Sequence, residues 1–312
     1  MSVEDITERL QAVTVTASDC VPFHPTATPR WRDLQLSAIP RYLFRISTPR
    51  SACSIDDVWA KSADAVLTPE LSGDDIFQTR SDSEAAHSVA NHLNWRRGQG
   101  SSNLVSWTSS LLYALQYVLY RHVDRRDGPD MADIEICVID TTEFEPRVFI
   151  RDMDPIEAFA ADHAALQKLR DLRTGGEYYF GEYLSQGALR IEGKCQIISA
   201  EAMIGKGLLS LRPEFEMAYY IKTCGWAKDV VEMRDSLYEQ QQQQPPSVRL
   251  ETFQSAIEIG QLFGPHWRLP IATNLVALTP GHLDPGIIKV AFRNQQDFTV
   301  RIRPVRSHPT SL

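Results

Sequence analysis

Three polar side chains, each inside a short apolar segment, set out the chemistry open to this chain. They are Arg45 in Tyr42–Thr48 (YLFRIST), Ser106 in Leu104–Ser109 (LVSWTS) and Glu182 in Gly181–Ser185 (GEYLS). The planar fork of an arginine matches a phosphate or a ribose diol in bidentate contact. A serine hydroxyl in a strand that runs straight into a helix can orient a neighbouring side chain. A fixed carboxylate stabilises the positive charge of an oxocarbenium-like sugar as it develops. In combination these groups suit capture of a phosphorylated nucleoside and cleavage of a sugar–base bond such as the nicotinamide–ribose bond of NAD. Tyr178, Tyr179, Phe180 and Tyr183 flank the carboxylate and offer flat surfaces to an aromatic leaving group or a purine. Each residue also has a structural alternative. Arg45 can serve an ion pair or face solvent at a sheet edge, Ser109 and Ser110 suit strand-end and helix-capping roles, and Glu182 can be a surface residue of an aromatic strand.

The elements that must position these groups follow from periodicity. Residues 42–47 alternate, with Tyr42, Phe44 and Ile46 on one face and Leu43, Arg45 and Ser47 on the other. A second strand at 104–108 places Leu104, Ser106 and Thr108 together. Ser109 or Ser110 then caps a helix in which Leu111, Ala114, Leu115, Val118 and Leu119 repeat at three and four. Further strands are expected at 134–140, 147–150, 189–191 and 196–199. Asp154-Pro155-Ile156-Glu157 carries the signals of a helix start, an N-cap followed by proline, and that helix should run to about Arg173 before Gly175-Gly176. Another helix is expected over 212–223 with Pro213 in its first turn.

The domain plan has four parts. Residues 1–39 form an N-terminal helix and an irregular lead-in broken by Pro22, Pro25 and Pro29. Residues 40–235 form the main domain. The tract Gln240–Gln244 followed by Pro245-Pro246 marks a loop or linker at 236–248, because such a segment buries little apolar area. Residues 249–312 form a C-terminal extension docked on the domain, with a helix near 251–263, an apolar stretch at 271–278 and a last strand at 298–302.

Two other patterns compete for attention. Asp152-Met153-Asp154 has the D-x-D form of the metal site in nucleotide-sugar transferases, which predicts metal dependence, but Asp154 is already explained as an N-cap. The histidines at 87, 92, 122, 163 and 266 lack metal-like spacing to cysteine or carboxylate, so no metal is expected, and His87 and His92 read as surface or core fillers. The five cysteines have no C-x-x-C spacing and read as scattered residues of a reduced intracellular protein, most simply cytoplasmic. The N-terminus lacks the basic start and apolar core of a signal peptide. No apolar run reaches the ~18 residues of a membrane span. A formal charge of −8 argues against a dedicated nucleic-acid binder, although one or two arginines still suffice for a nucleotide ligand.

Taken together, the segments resemble the ADP-ribosyltransferase fold in its arginine–serine–glutamate, cholera-toxin-like branch. Residues 42–51 look like that branch's first strand, with Arg45 at the NAD-binding arginine. Val105–Ser110 and the helix after it look like its serine–x–serine/threonine strand, with Ser106 at the serine and Thr108 at the last position. Gly181-Glu-Tyr-Leu looks like the glutamate strand, with Glu182 at the catalytic position. The order also resembles an uncharacterised family of fungal proteins, including a His-Leu-x-Trp-like stretch at His92–Trp95. The resemblance covers about residues 40–200. It implies an α+β fold in which two small sheets, with inserted helices, surround an NAD cleft. Arg45, Ser106 and Thr108 would contact NAD there, with a tyrosine from 178, 179 or 183 on the nicotinamide. Phe180 stands where arginine-modifying members carry the first glutamate of an E-x-E pair, which leaves the acceptor of ADP-ribose open to a protein, another molecule or water. The alternative is a catalytically inactive interaction module on the same scaffold.

Overall fold

The computed structural model describes residues 19–25, 31, 38–69, 73–94, 102–124, 128–175, 177–242 and 250–280. In chain order its regular elements are β1 (Tyr42–Ser47), β2 (Ser54–Ile55), β3 (Trp59–Lys61), α1 (Ala63–Leu67), α2 (Asp82–Leu93), β4 (Leu104–Thr108), α3 (Leu111–Val123), β5 (Glu135–Asp140), β6 (Ile150–Arg151), α4 (Met153–Phe159), α5 (Ala164–Thr174), β7 (Glu182–Gln186), β8 (Ala188–Arg190), β9 (Cys195–Ser199), α6 (Ala200–Gly205), α7 (Pro213–Ile221), α8 (Ala227–Gln242), α9 (Leu250–Leu262) and α10 (Gly264–Ala277). The architecture is α+β with two small antiparallel sheets. One sheet has the order β6-β7-β4-β1-β5-β9, and the other the order β2-β3-β8.

The alternation of apolar residues along each strand decides how the layers stack. Leu43, Val105, Trp107, Cys137, Ile139 and Tyr183 point from the larger sheet towards Ala60, Leu189 and Ile191, so the two sheets bury one cluster between them. The opposite face of the larger sheet is covered by helices. Under β1 and β5, Phe44, Ile136 and Val138 join Leu115 of α3, Phe215 of α7, Phe253 of α9 and Trp267 of α10. Under β4, β6 and β7, Leu104, Ile150 and Leu184 join Val89 of α2 and Phe159 of α4. A polar seam lies between these two apolar clusters, and the candidate site sits in it.

The helix ends follow local rules. Ser81 and Glu84 form a reciprocal capping box on α2, and the Ser110 hydroxyl accepts from the Tyr113 N–H to start α3. Pro213 opens α7. Three expectations are corrected. The single helix from Asp154 to Arg173 is two helices, because Phe159 and Leu166 bury in the same cluster and a turn at 160–163 is needed to bring both there. Asp154 lies inside α4 and is not its N-cap, so its carboxylate is instead paired with Arg151 at 3.0 Å. The segment read as a linker from 236 begins as helix, since α8 continues to Gln242. The N-terminal helix and the last strand at 298–302 lie outside the described residues.

The chain beyond this segment is tied to the core by Arg212. Its side chain is fully buried, donating to Glu214, to the Leu278 carbonyl and to the Ser236 hydroxyl. Among the described residues no helix is long and apolar enough to cross a membrane.

Candidate functional site

Strand β4 is the hub. It pairs with β7 over five residues, with Thr108 opposite Glu182 and Ser106 opposite Leu184. Ser106 and Glu182 therefore share the helix-covered face, and the Ser106 hydroxyl donates to the Glu182 Oε1 at 2.6 Å. Arg45 arrives differently. β1 runs beside β5 along its whole length but meets β4 at one pair only, Phe44 with Thr108. In the gap the Arg45 Nη1 donates to the Ser106 backbone carbonyl at 2.6 Å. Arg45 stands opposite Cys137 and so leaves the sheet on the face away from Glu182, its link to the carboxylate running through Ser106. Its Nε is buried and makes no hydrogen bond among the described residues.

The turn into Glu182 is built for close approach. Gly181 has φ +62°, and a Cβ placed there meets the Ser109 Oγ at 2.0 Å. That space lets the Ser109 N–H donate to the Gly181 carbonyl at 2.8 Å. The Thr108 hydroxyl donates to the Phe180 carbonyl at 2.7 Å and accepts from the Ser110 N–H at 3.0 Å. Thr108 therefore pins the approach to β7 and start of α3, and its hydroxyl is committed to backbone.

His92 completes a directed chain. Its Nε2 lies 2.8 Å from the Ser106 Oγ and its Nδ1 2.9 Å from the Ser102 Oγ. Because Ser106 donates to Glu182, it must accept from His92, so the ring carries its proton on Nε2. Ser102 then donates to Nδ1 while accepting from the Leu104 N–H at 3.2 Å. Burial pushes the His92 pKa down to about 4, the Glu182 charge opposing and the Arg45 charge adding to that shift. A neutral ring with one defined tautomer is what this chain of donors requires. The spacing of His92 to other residues carried no signal of this, apart from its place in the His-Leu-x-Trp-like stretch.

Glu182 has a second partner that sequence reasoning missed. The Arg173 Nη2, from the last turn of α5, donates to the Glu182 Oε2 at 2.8 Å, and Nη1 of the same guanidinium is paired with Asp152. Asp152 is fully buried. Both members of the D-x-D pattern are thus matched to arginines, Asp152 to Arg173 and Asp154 to Arg151. Among the described residues no group of three or more histidine, cysteine or acidic side chains is placed to hold a metal ion.

The tyrosines divide. Tyr183 stands opposite Trp107 and is buried between the two sheets, on the face away from Glu182. Tyr179 packs on the cluster under α2 and α4, and burial pushes its pKa up to about 12. Tyr178 is half-buried. A further ring, Tyr113 of α3, lies close enough for the Glu182 charge to act on it. It stacks on Phe180 with centroids 4.8 Å apart, and burial, reinforced by the Glu182 charge, raises its pKa. A cavity of about 730 Å³ lies at the C-terminal ends of α3 and α7, against Arg50, Arg121 and Lys222, and is lined by none of Arg45, Ser106 and Glu182.

Residues 38–192 match a family model described as "Domain of unknown function (DUF7587)". The match takes in Arg45, His92, Ser106, Arg173 and Glu182. Comparison with curated proteins and with solved structures finds nothing similar.

Proposed function

We propose that this protein is an ADP-ribosyltransferase-like enzyme that cleaves the nicotinamide–ribose bond of NAD and passes ADP-ribose to an acceptor or to water. The observation that supports this most is that Ser106 of β4 touches both other groups at 2.6 Å, its hydroxyl donating to Glu182 on the helix-covered face and its backbone carbonyl accepting from Arg45, which leaves the sheet on the other. In this reading Arg45 holds a phosphate or ribose group of NAD. Ser106, itself oriented by neutral His92, fixes the carboxylate of Glu182. That carboxylate meets the positive charge as nicotinamide departs, with the departing base passing near Tyr113 and Phe180. A preorganised charge of this kind typically supplies about 3–4 kcal/mol of transition-state stabilisation, about 10²–10³ in rate.

The test is nicotinamide release from NAD by the purified full chain, wild type against Glu182→Gln. A loss of two or more orders of magnitude in the variant, with NAD binding retained, is the expected result. Full turnover by Glu182→Gln would sink the proposal. The alternative, a non-catalytic interaction module, is favoured by one observation, the Arg173–Glu182 ion pair, which gives the carboxylate a structural role. It predicts neither NAD binding nor release.

A further inference from the structure

Arg173 makes the arrangement around Glu182 unlike a site ready to act. A carboxylate that is to stabilise a sugar cation needs its negative charge unopposed, yet here a guanidinium touches it. One oxygen is taken by Ser106 and the other by Arg173. The same guanidinium also holds Asp152, which is tied to the Glu182 strand by its own N–H donating to the Glu182 carbonyl at 3.1 Å. One cation therefore sits between two anions.

Resting on the reading above, we infer that Arg173 is an autoinhibitory latch: α5 carries it onto Glu182, and the enzyme acts when that contact opens while the contact with Asp152 stays. Two features make such a latch workable. Opening does not strand a buried charge, because Nη1 stays on Asp152 as Nη2 leaves Glu182, so the fully buried aspartate keeps its counterion. The carrier is also lightly held. Along α5 Leu166 is the fully buried residue, Ala165 and Leu169 pack only partly buried against the same cluster, and His163 gives the helix no side-chain cap.

The experiment compares the full-length wild type with Arg173→Gln and Arg173→Lys by two readouts. The first is nicotinamide release from NAD. The second is carbodiimide-driven coupling of an amine to the Glu182 carboxylate, followed by peptide mass spectrometry, which needs no turnover. Thermal melting identifies variants that remain folded, and Arg173→Lys keeps the Asp152 countercharge should Arg173→Gln not fold. A latch predicts that Arg173→Gln labels Glu182 at least fivefold faster and releases nicotinamide at least tenfold faster. Arg173→Lys, keeping one point charge without the fork, should fall between the two. Labelling that rises with no release from any protein, wild type included, overturns the NAD reading and the latch with it, whereas release from wild type that no folded variant exceeds overturns the latch alone. Folded variants that label and turn over no faster than wild type overturn the latch.

Discussion

His92 gives the sharpest quantitative test of the hydrogen-bond chain. Its pKa is held down from an ordinary 6.5 to about 4 in the folded protein. In the unfolded chain it returns to the ordinary value, so between these limits the unfolded state binds more protons. Stability from the neutral ring is therefore complete above about pH 6.5 and is lost as pH falls through about 4. At about 1.4 kcal/mol per pH unit the full interval is worth about 3 kcal/mol, of which about 2 kcal/mol is already lost at pH 5. The perturbation is His92→Gln, which keeps a donor and an acceptor without titrating. Urea unfolding at pH 7.5 and pH 5 should show wild type losing about 2 kcal/mol more than the variant across that interval. Nitrogen NMR of the wild-type ring should show the proton on Nε2 throughout the neutral range. Equal losses in the two proteins, or a His92 that titrates near 6.5, would rule out a neutral ring as the donor to Ser106.

Three other outcomes follow from the same geometry. Ser106→Ala removes the donor to Glu182 and leaves the His92 Nε2–H without its acceptor, so it should cost about 1–3 kcal/mol of stability by urea unfolding and slow nicotinamide release about 10²-fold. Gly181→Ala combines a left-handed backbone with the 2.0 Å approach to the Ser109 Oγ, and should destabilise by about 2 kcal/mol or more. Adding Ser109→Gly should restore only the steric part, which melting temperatures of the single and double variants will resolve. Arg212→Met removes the buried link to the Leu278 carbonyl and to Glu214. It should lower stability by about 2–3 kcal/mol and raise proteolytic cleavage around residues 250–280.

What was legible in the chain itself was whatever a short window decides. The period-two pattern at 42–47, the strand at 104–108, the Ser110 cap before an amphipathic helix and Pro213 at a helix start all depend on neighbours within one or two turns. Arg45, Ser106 and Glu182 were visible because each is a polar side chain set in an apolar segment, where its type is unusual. Local pattern failed where a partner far along the chain chose the outcome. Alternation already turns Tyr183 away from its neighbour Glu182, but only the register of β7 against β4 decides which of the two faces the helices and which meets Trp107. His92 and Arg173 lie on helices with ordinary composition, and nothing near them in sequence marks them beyond the His-Leu-x-Trp-like stretch that His92 opens. They became part of the site because the packing of α2 and α5 against the sheet brings His92 to a hydroxyl fourteen residues away and Arg173 to the carboxylates of Asp152, just after β6, and of Glu182 on β7. Local propensity settled the elements and offered three candidate side chains. The pairing of β4, and the helices packed over it, decided which groups touch Glu182 and which charge opposes it, because those contacts exist only once distant segments share one surface.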